Sequence, residues 1–227
     1  MSRKVVRMGK LIVIEGGDAS GKTTQTKLFL SRLIGQARMF DFPRYYTSLA
    51  GKLVGECLAG EHGDLLHLSP YLASLPYTVD RIGARDALLH ALEHHHVVCN
   101  RYVTSNVAHQ GAKLMGEERG KFIDFLEKLE YDELKLPRPD AVFYLHVPME
   151  IADTLGKGKA ARDYLKGTGK TLDQHEADLE YQKRVIALYT ELALNRPDWH
   201  LIPCTQNGAL LPAEVIHEKI WNIFTTL

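Results

Sequence analysis

Gly16 and Gly21 are separated by four residues and followed at once by Lys22 and Thr23. An unbroken apolar run, Leu11, Ile12, Val13 and Ile14, leads into them and reads as a buried strand, and a helical pattern over 22–33 follows. A strand, a glycine turn and a helix in that order form the setting in which such a loop cradles phosphate. The two glycines allow backbone conformations closed to other residues. Successive N–H groups then converge on one concavity, and the helix N-terminus adds partial positive charge. Gly17, Asp18, Ala19, Ser20 and Thr24 complete this expected nucleoside triphosphate site. Lys22 can reach the outer phosphates and Thr23 can offer its hydroxyl to Mg2+. The loop implies a triphosphate and leaves the reaction open.

Four more strand patterns recur at 36–41, 96–100, 141–147 and 199–204, after the first at 10–15. Helical patterns separate them at 48–59, 70–94, 104–113, 118–131, 172–195 and 212–224. Strands alternating with helices predict a parallel sheet covered on both faces, an α/β fold. The length of 227 residues suits one domain, residues 1–227, with a core large enough to need no staples. Formal net charge is zero, so long-range attraction to nucleic acid or an anionic membrane is not expected. Cys57, Cys99 and Cys204 are scattered, which suits a reducing compartment. No separate apolar signal segment or membrane-length run appears, so a soluble cytoplasmic protein is the expectation. Residues 156–170 combine glycines and lysines with few apolar side chains and read as a mobile loop.

Within 70–94, Pro76 removes a backbone donor and is expected to kink or break the helix. Tyr77 and Arg81 then share one helical face, either as a core tyrosine beside a surface arginine or as a pair lining a site. His94, His95 and His96 are adjacent, cannot easily ligate one ion, and read as a solvated helix end. Asn100 and Arg101 end a buried strand, at the carboxyl edge where open α/β sheets bind ligands. Ser105, Asn106, His109 and Gln110 follow, four hydrogen-bonding side chains within one or two turns. Phe42, Pro43, Arg44 and Tyr45 follow the second strand to the same edge. There an aromatic ring can stack on a base and an arginine can grip phosphate with two donors, or the segment is an ordinary proline turn with a buried Phe42.

Taken together, these segments resemble the thymidylate kinase family. The resemblance rests on residues 15–25 and 41–45, on Glu61 to Leu65, on Asp80 and Arg81, on residues 100–106, and on 136–140. Phe42 to Tyr45 and Glu61 to Asp64 look most like its actinobacterial branch. The resemblance implies a three-layer P-loop kinase fold, with a five-stranded parallel sheet flanked by helices and a mobile lid at about 156–170. It implies transfer of phosphate from ATP to dTMP in dTTP biosynthesis, with Mg2+, in a homodimer packed through long helices at 48–59 and 70–94. It implies that Asp18 meets the sugar 3′-hydroxyl, Mg2+ and the dTMP phosphate network. By the same resemblance Phe42 and Tyr77 would surround thymine, Arg81 would donate to its O4, and Asn106 would meet its other polar edge. Arg101 and Tyr45 would contact the dTMP phosphate, with Arg44 in support.

Some relatives carry an arginine at the position of Ala19; those that lack it supply the catalytic cation from the lid. Lys157, Lys159 and Arg162 are the candidates, and Arg162 is favoured because guanidinium grips two oxygens. Three departures from the family pattern stand out. Asn100 replaces an aspartate and brings no negative charge to Mg2+. His109 and His175 fall where relatives often have tyrosines near the deoxyribose. Another nucleotide or nucleoside kinase of the same fold, or a non-catalytic nucleotide-binding protein, are the alternatives at this stage.

Overall fold

A computed structural model of the chain describes residues 7–157 and 162–227. In chain order the elements are β1 (Leu11–Gly16), α1 (Lys22–Arg32), β2 (Ala37–Asp41), α2 (Leu49–Ala59), α3 (Pro70–Ile82), α4 (Arg85–His94), β3 (His96–Asn100), α5 (Val103–Gly111) and α6 (Gly116–Glu127). A π-helical turn (Lys128–Glu133) extends α6, followed by β4 (Ala141–His146), α7 (Met149–Lys157) and a 3-10 turn (Asp163–Leu165). Then come α8 (Gln174–Ala177), α9 (Leu179–Asn195), β5 (Trp199–Pro203), a short hairpin of β6 (Thr205–Gln206) and β7 (Ala209–Leu210), and α10 (Ala213–Phe224).

The five long strands form one parallel sheet in the order β2-β3-β1-β4-β5, as expected. Side chains of a strand alternate between faces, and β1 divides its residues accordingly. Leu11 and Val13 join a core under α4, α5, α6 and α9, while Ile12 and Ile14 join a second core under α1 and α10. Both faces are covered, which is why all six residues of β1 are buried and its first four, Leu11 to Ile14, read as an unbroken apolar run. The register pairs Ile14 with Asn100, and Asp41 with Asn100. The ends of β1, β2 and β3 therefore release the phosphate loop, Phe42 and Arg101 at one edge.

Several boundaries differ from expectation. The 70–94 helix breaks at Gly83, not at Pro76, which sits inside a continuous α3. A proline ring holds a helical φ, so it costs one hydrogen bond without ending the element. Gly83 fails for a tertiary reason: the guanidinium of Arg44 takes the backbone carbonyl of Asp80 at 2.6 Å, and a Cβ on Gly83 would lie 2.9 Å from Arg44 Nη2. The 172–195 pattern is two helices, because the Asp178 carboxylate accepts from Tyr181 N–H at 2.9 Å and starts α9 afresh. Of the three histidines, His94 ends α4, whereas His96 belongs to β3 and its Nδ1 accepts from Lys10 N–H at 3.1 Å. The expected loop at 156–170 begins inside α7 and contains the 3-10 turn, whose Leu165 is buried. No described helix is long and apolar enough to cross a membrane.

Candidate active site

The phosphate loop takes the shape its glycines permit. Gly16 has φ 155°, and a Cβ there would fall 2.5 Å from Ser20 Oγ and 3.0 Å from the Leu145 carbonyl. Gly21 (φ 89°) caps α1 from the left-handed region. Ala19 (φ 62°) and Arg101 (φ 63°) enter the same region without being glycine. Strained backbone of this kind gathers where ligands are handled. Lys22 folds over the loop, donating to the carbonyls of Gly16 (3.1 Å) and Gly17 (2.7 Å). Burial, reinforced by the charge of Arg101, holds its pKa well below the usual lysine range.

Three cations converge on Asp18. Its Oδ1 accepts from Arg101 Nη2 at 3.1 Å and from Arg162 Nη2 at 2.9 Å. Burial alone would raise its pKa, but Arg101, Lys22 and Arg162 override it and hold the carboxyl well below its ordinary value. Arg101 leaves the end of β3 and also donates through Nη1 to Ser105 Oγ (3.3 Å) and His109 Nε2 (3.1 Å). Arg162 arrives from the expected lid and is anchored there by Glu176, whose Oε1 accepts from its Nε (3.0 Å) and Nη2 (2.8 Å). Glu176 is itself placed by a capping box with Asp173 at the start of α8. Tyr164 adds a ring-to-ring contact with Tyr45 at 4.9 Å and donates to Asp173 Oδ2 at 2.6 Å. Lys159 and the side chain of Lys157 lie outside the described residues.

A second cluster lies further along α5. Arg81, on α3, places Nε and Nη2 on the two oxygens of Glu130 at 2.6 and 2.5 Å, with Nη1 3.4 Å from the Tyr102 carbonyl. Asn106 donates to the same carboxylate at 3.4 Å and to the Ser74 carbonyl at 3.2 Å. Gln110 is fully buried, and neither end of its amide has a partner among the described residues. Tyr77 is half-buried beside Val54, Leu58 and Ala73. Phe42 is 3% exposed and packs on Phe40 and Tyr102 as part of the core.

Two expected contact residues face inward instead. Arg44 was expected either to grip phosphate or to support the groups that do; its Nε and Nη2 are taken by Asp80, whose other oxygen receives the Arg44 N–H at 2.8 Å. Ser105 was expected to face the ligand; its hydroxyl bonds Glu15 at 2.7 Å. Glu15, fully buried, also accepts from Thr104 Oγ1 (2.6 Å), Tyr102 N–H (3.1 Å) and Tyr189 Oη (2.8 Å). It clamps β1, α5 and α9 together directly behind the loop. Glu15, Glu130 and Glu176 were not assigned roles from the sequence. For Glu130 a signal exists: it continues the buried stripe of Phe122 and Leu126 at four-residue spacing, where a charge needs a partner.

The loop carries two oxygen donors of the kind Mg2+ accepts, the Thr23 hydroxyl and the Asp18 carboxylate. Thr23 is exposed there and receives Asn100 Nδ2 at 3.5 Å, which leaves Asn100 Oδ1 buried and without a partner among the described residues. Asp18 supplies the carboxylate. Among the described residues no group of three His, Cys, Asp or Glu side chains forms a metal cage, so these donors fit an ion that phosphates help to hold.

A family model described as Thymidylate kinase matches residues 14–220, from the last residues of β1 into α10. The chain belongs to the thymidylate kinase family. Among its relatives, the thymidylate kinase of Mycobacterium tuberculosis is 36% identical over 187 residues, covering 81% of this chain and 85% of that protein. The thymidylate kinase of Thermomicrobium roseum is 32% identical over 223 residues, covering 96% and 95%. The solved structure of the Candida albicans thymidylate kinase superposes with a TM-score of 0.73 over 97% of this chain and 92% of that one. At 22% identity it bears on the fold alone. His109 and His175, expected to depart from the family pattern, stack at 5.7 Å with 12° between their planes, and His109 meets Arg101 directly.

Proposed function

We propose that the chain transfers the γ-phosphoryl group of ATP to dTMP, giving dTDP and ADP. The carrying observation is the convergence of Arg101 and Arg162 on Asp18 above the phosphate loop. A cation from the sheet edge and one from the lid meet at one carboxylate, where transferred phosphate would be held from two sides. A dTMP phosphate oxygen attacks the γ-phosphorus, the bond to the β–γ bridging oxygen breaks, and ADP leaves with that electron pair. The attacking oxygen is already anionic, so no general base is needed. The protein's part is positioning, charge neutralisation and exclusion of water.

In this reading Gly16, Gly17, Ala19, Ser20, Gly21 and Thr24 line the triphosphate site with Lys22, and Thr23 and Asp18 hold Mg2+. When bound, the ion neutralises charge on the β- and γ-phosphates. Arg162 clamps the transferring group, and Arg101 and Tyr45 hold the acceptor phosphate. Phe42 and Tyr77 flank the base, Arg81 donates to O4, and Asn106 and Gln110 meet the remaining polar edge. His109 lies beside the deoxyribose. Arg44 and Ser105 act from behind, through Asp80 and Glu15.

The whole chain works as one domain, in the cytoplasm, as a homodimer near the actinobacterial branch of the family. The dimer is supported by an apolar stripe on α3, where Leu72, Leu75 and Val79 are exposed at helical spacing beside exposed Leu49 and Leu53 on α2. A coupled ADP-release assay tests the reaction. ADP release should depend on dTMP, with dUMP poorer and with dCMP and thymidine near background. No release with dTMP, or faster release with thymidine, overturns the reading.

A further inference from the structure

Glu130 is a carboxylate with no exposure to solvent, and the proposed reaction makes no use of it. An ionised group in that position is tolerated only if its oxygens are filled. Four bonds fill them: Arg81 Nε at 2.6 Å, Arg81 Nη2 at 2.5 Å, Thr78 Oγ1 at 2.9 Å and Asn106 Nδ2 at 3.4 Å. Two of these partners are the side chains assigned above to the polar edge of the base. The carboxylate is delivered by the π-helical turn that extends α6, with Leu134 N–H bonded to the Leu129 carbonyl at 2.9 Å. Such turns are rare and concentrate at functional sites.

The bonding pattern fixes what remains free. Guanidinium has five N–H bonds, all donors. Glu130 takes two and the Tyr102 carbonyl takes one, which leaves two among the described residues. A carboxylate can only accept, so it forces the NH2 end of the Asn106 amide toward itself and toward Ser74, and turns Oδ1 the other way. The cluster therefore presents a donor from Arg81 and an acceptor from Asn106. A 4-keto pyrimidine offers an acceptor at O4 and a donor at N3. A 4-amino pyrimidine offers the reverse at both atoms.

We propose that Glu130 is a positioning residue for base selection, which sets Arg81 and Asn106 as a donor–acceptor pair that fits a keto pyrimidine and opposes an amino one. The proposal rests on the reading that Arg81 and Asn106 meet the base. Glutamine at 130 brings an NH2 group where only acceptors fit, so it cannot hold Arg81 on two bonds and orient Asn106 as well.

Steady-state kinetics of the full chain with Glu130→Gln test this. The KM for dTMP should rise roughly tenfold or more, the KM for ATP should stay put, and kcat should remain within about threefold. The ratio of kcat/KM for dTMP over dCMP should fall at least about tenfold, because a mis-set hydrogen-bonding edge no longer rejects the wrong base. Glu130→Asp keeps the charge, preserves the fold if glutamine does not, and should show an intermediate loss of the ratio. A lower Tm with KM and ratio unchanged in both variants would make Glu130 merely structural and overturn the proposal. A wild type that does not prefer dTMP to dCMP would instead remove the base-reading assignment of Arg81.

Discussion

The two arginine–carboxylate clusters of the molecule are built on opposite plans. At the proposed base end Arg81 and Glu130 are almost wholly buried, with side-chain exposures of 3% and 0%. At the phosphate end Asp18 holds Arg101 and Arg162 while remaining 25% exposed itself, and Arg162 is 38% exposed. A buried pair that lost one partner would strand a charge, so the base end stays assembled with or without ligand. A part-exposed pair is weak and replaceable. Under the proposed function Asp18 would serve as a stand-in anion, holding two guanidinium groups where phosphate oxygens would take them over. Recognition would then be preset, and the chemistry would be assembled on binding. Disturbing the first should appear in KM, and disturbing the second in kcat.

The sharpest way to break that contrast is Arg162→Ala. If Arg162 spreads its charge over the transferring phosphoryl group, kcat should fall roughly 10³-fold, about 4 kcal/mol in the transition state. The KM for dTMP should move only a few-fold, since Arg101 still binds the ground state. Measured with saturating ATP and dTMP, a kcat within a few-fold of wild type would take this residue out of the chemistry and turn attention to Lys157 and Lys159.

The two ends also differ in how far they were legible from sequence. All five sheet strands lay within a residue or two of expectation; β1, β3 and β4, buried on both faces, announce themselves by short apolar runs that need no context to be recognised. The phosphate loop was legible because its glycines answer a local backbone demand. Misread features depended on contacts between distant segments. Pro76 looked like a breaker, but its ring fits a helix, and the break came where Arg44 crosses Gly83. Residues 149–157 were missed as a helix because Gly156 and the charged lid that follows masked a short amphipathic pattern. Arg44 and Ser105 were read from the sequence as polar residues at the ligand-binding edge of the sheet. Sequence cannot say which way a donor faces, and both face inward to Asp80 and Glu15.

The contrast can be sharpened by acid. His175 is 6% exposed, and burial, helped by the charge of Lys113, pushes its pKa down to about 3. His109, stacked on it and touching Arg101, is likewise held well below the usual histidine range by burial and by that arginine. Both are neutral in the folded chain at pH 7 but would take up protons near pH 6.5 when unfolded. Their stabilising effect is complete above pH 6.5 and is lost as pH falls from 6.5 toward 3. Each pKa unit is worth about 1.4 kcal/mol, so His175 accounts for on the order of 5 kcal/mol of acid sensitivity over the whole window, and roughly 3 of it above pH 4. His175→Phe removes a titrating group whose Nε2 has no partner among the described residues. Urea midpoints between pH 7 and 4 should fall less steeply in this variant; superimposable curves would show that His175 does not titrate on unfolding.

The smallest effect is expected at Asn100, where the resemblance implies an aspartate. Asn100 sits against Thr23 and is paired in register with Asp41. Asn100→Asp would add a charge that draws Mg2+, but also one that repels Asp41, and it would lose the Nδ2 donor to Thr23. ATP phosphates and Asp18 already supply most of the negative charge, so the net gain is modest. The Mg2+ concentration for half-maximal rate should drop roughly two- to fivefold, with kcat at saturating Mg2+ nearly unchanged. Mn2+ affinity of the ATP-bound protein, read by electron paramagnetic resonance, should rise in step. If neither curve moves, position 100 does not face the metal and its amide serves only to hold Thr23. If the rate curve moves while Mn2+ affinity does not, the new carboxylate acts on Arg101 or Lys22 rather than on the ion. The phosphate end would then be limited by how its cations are held, as the stand-in role of Asp18 implies.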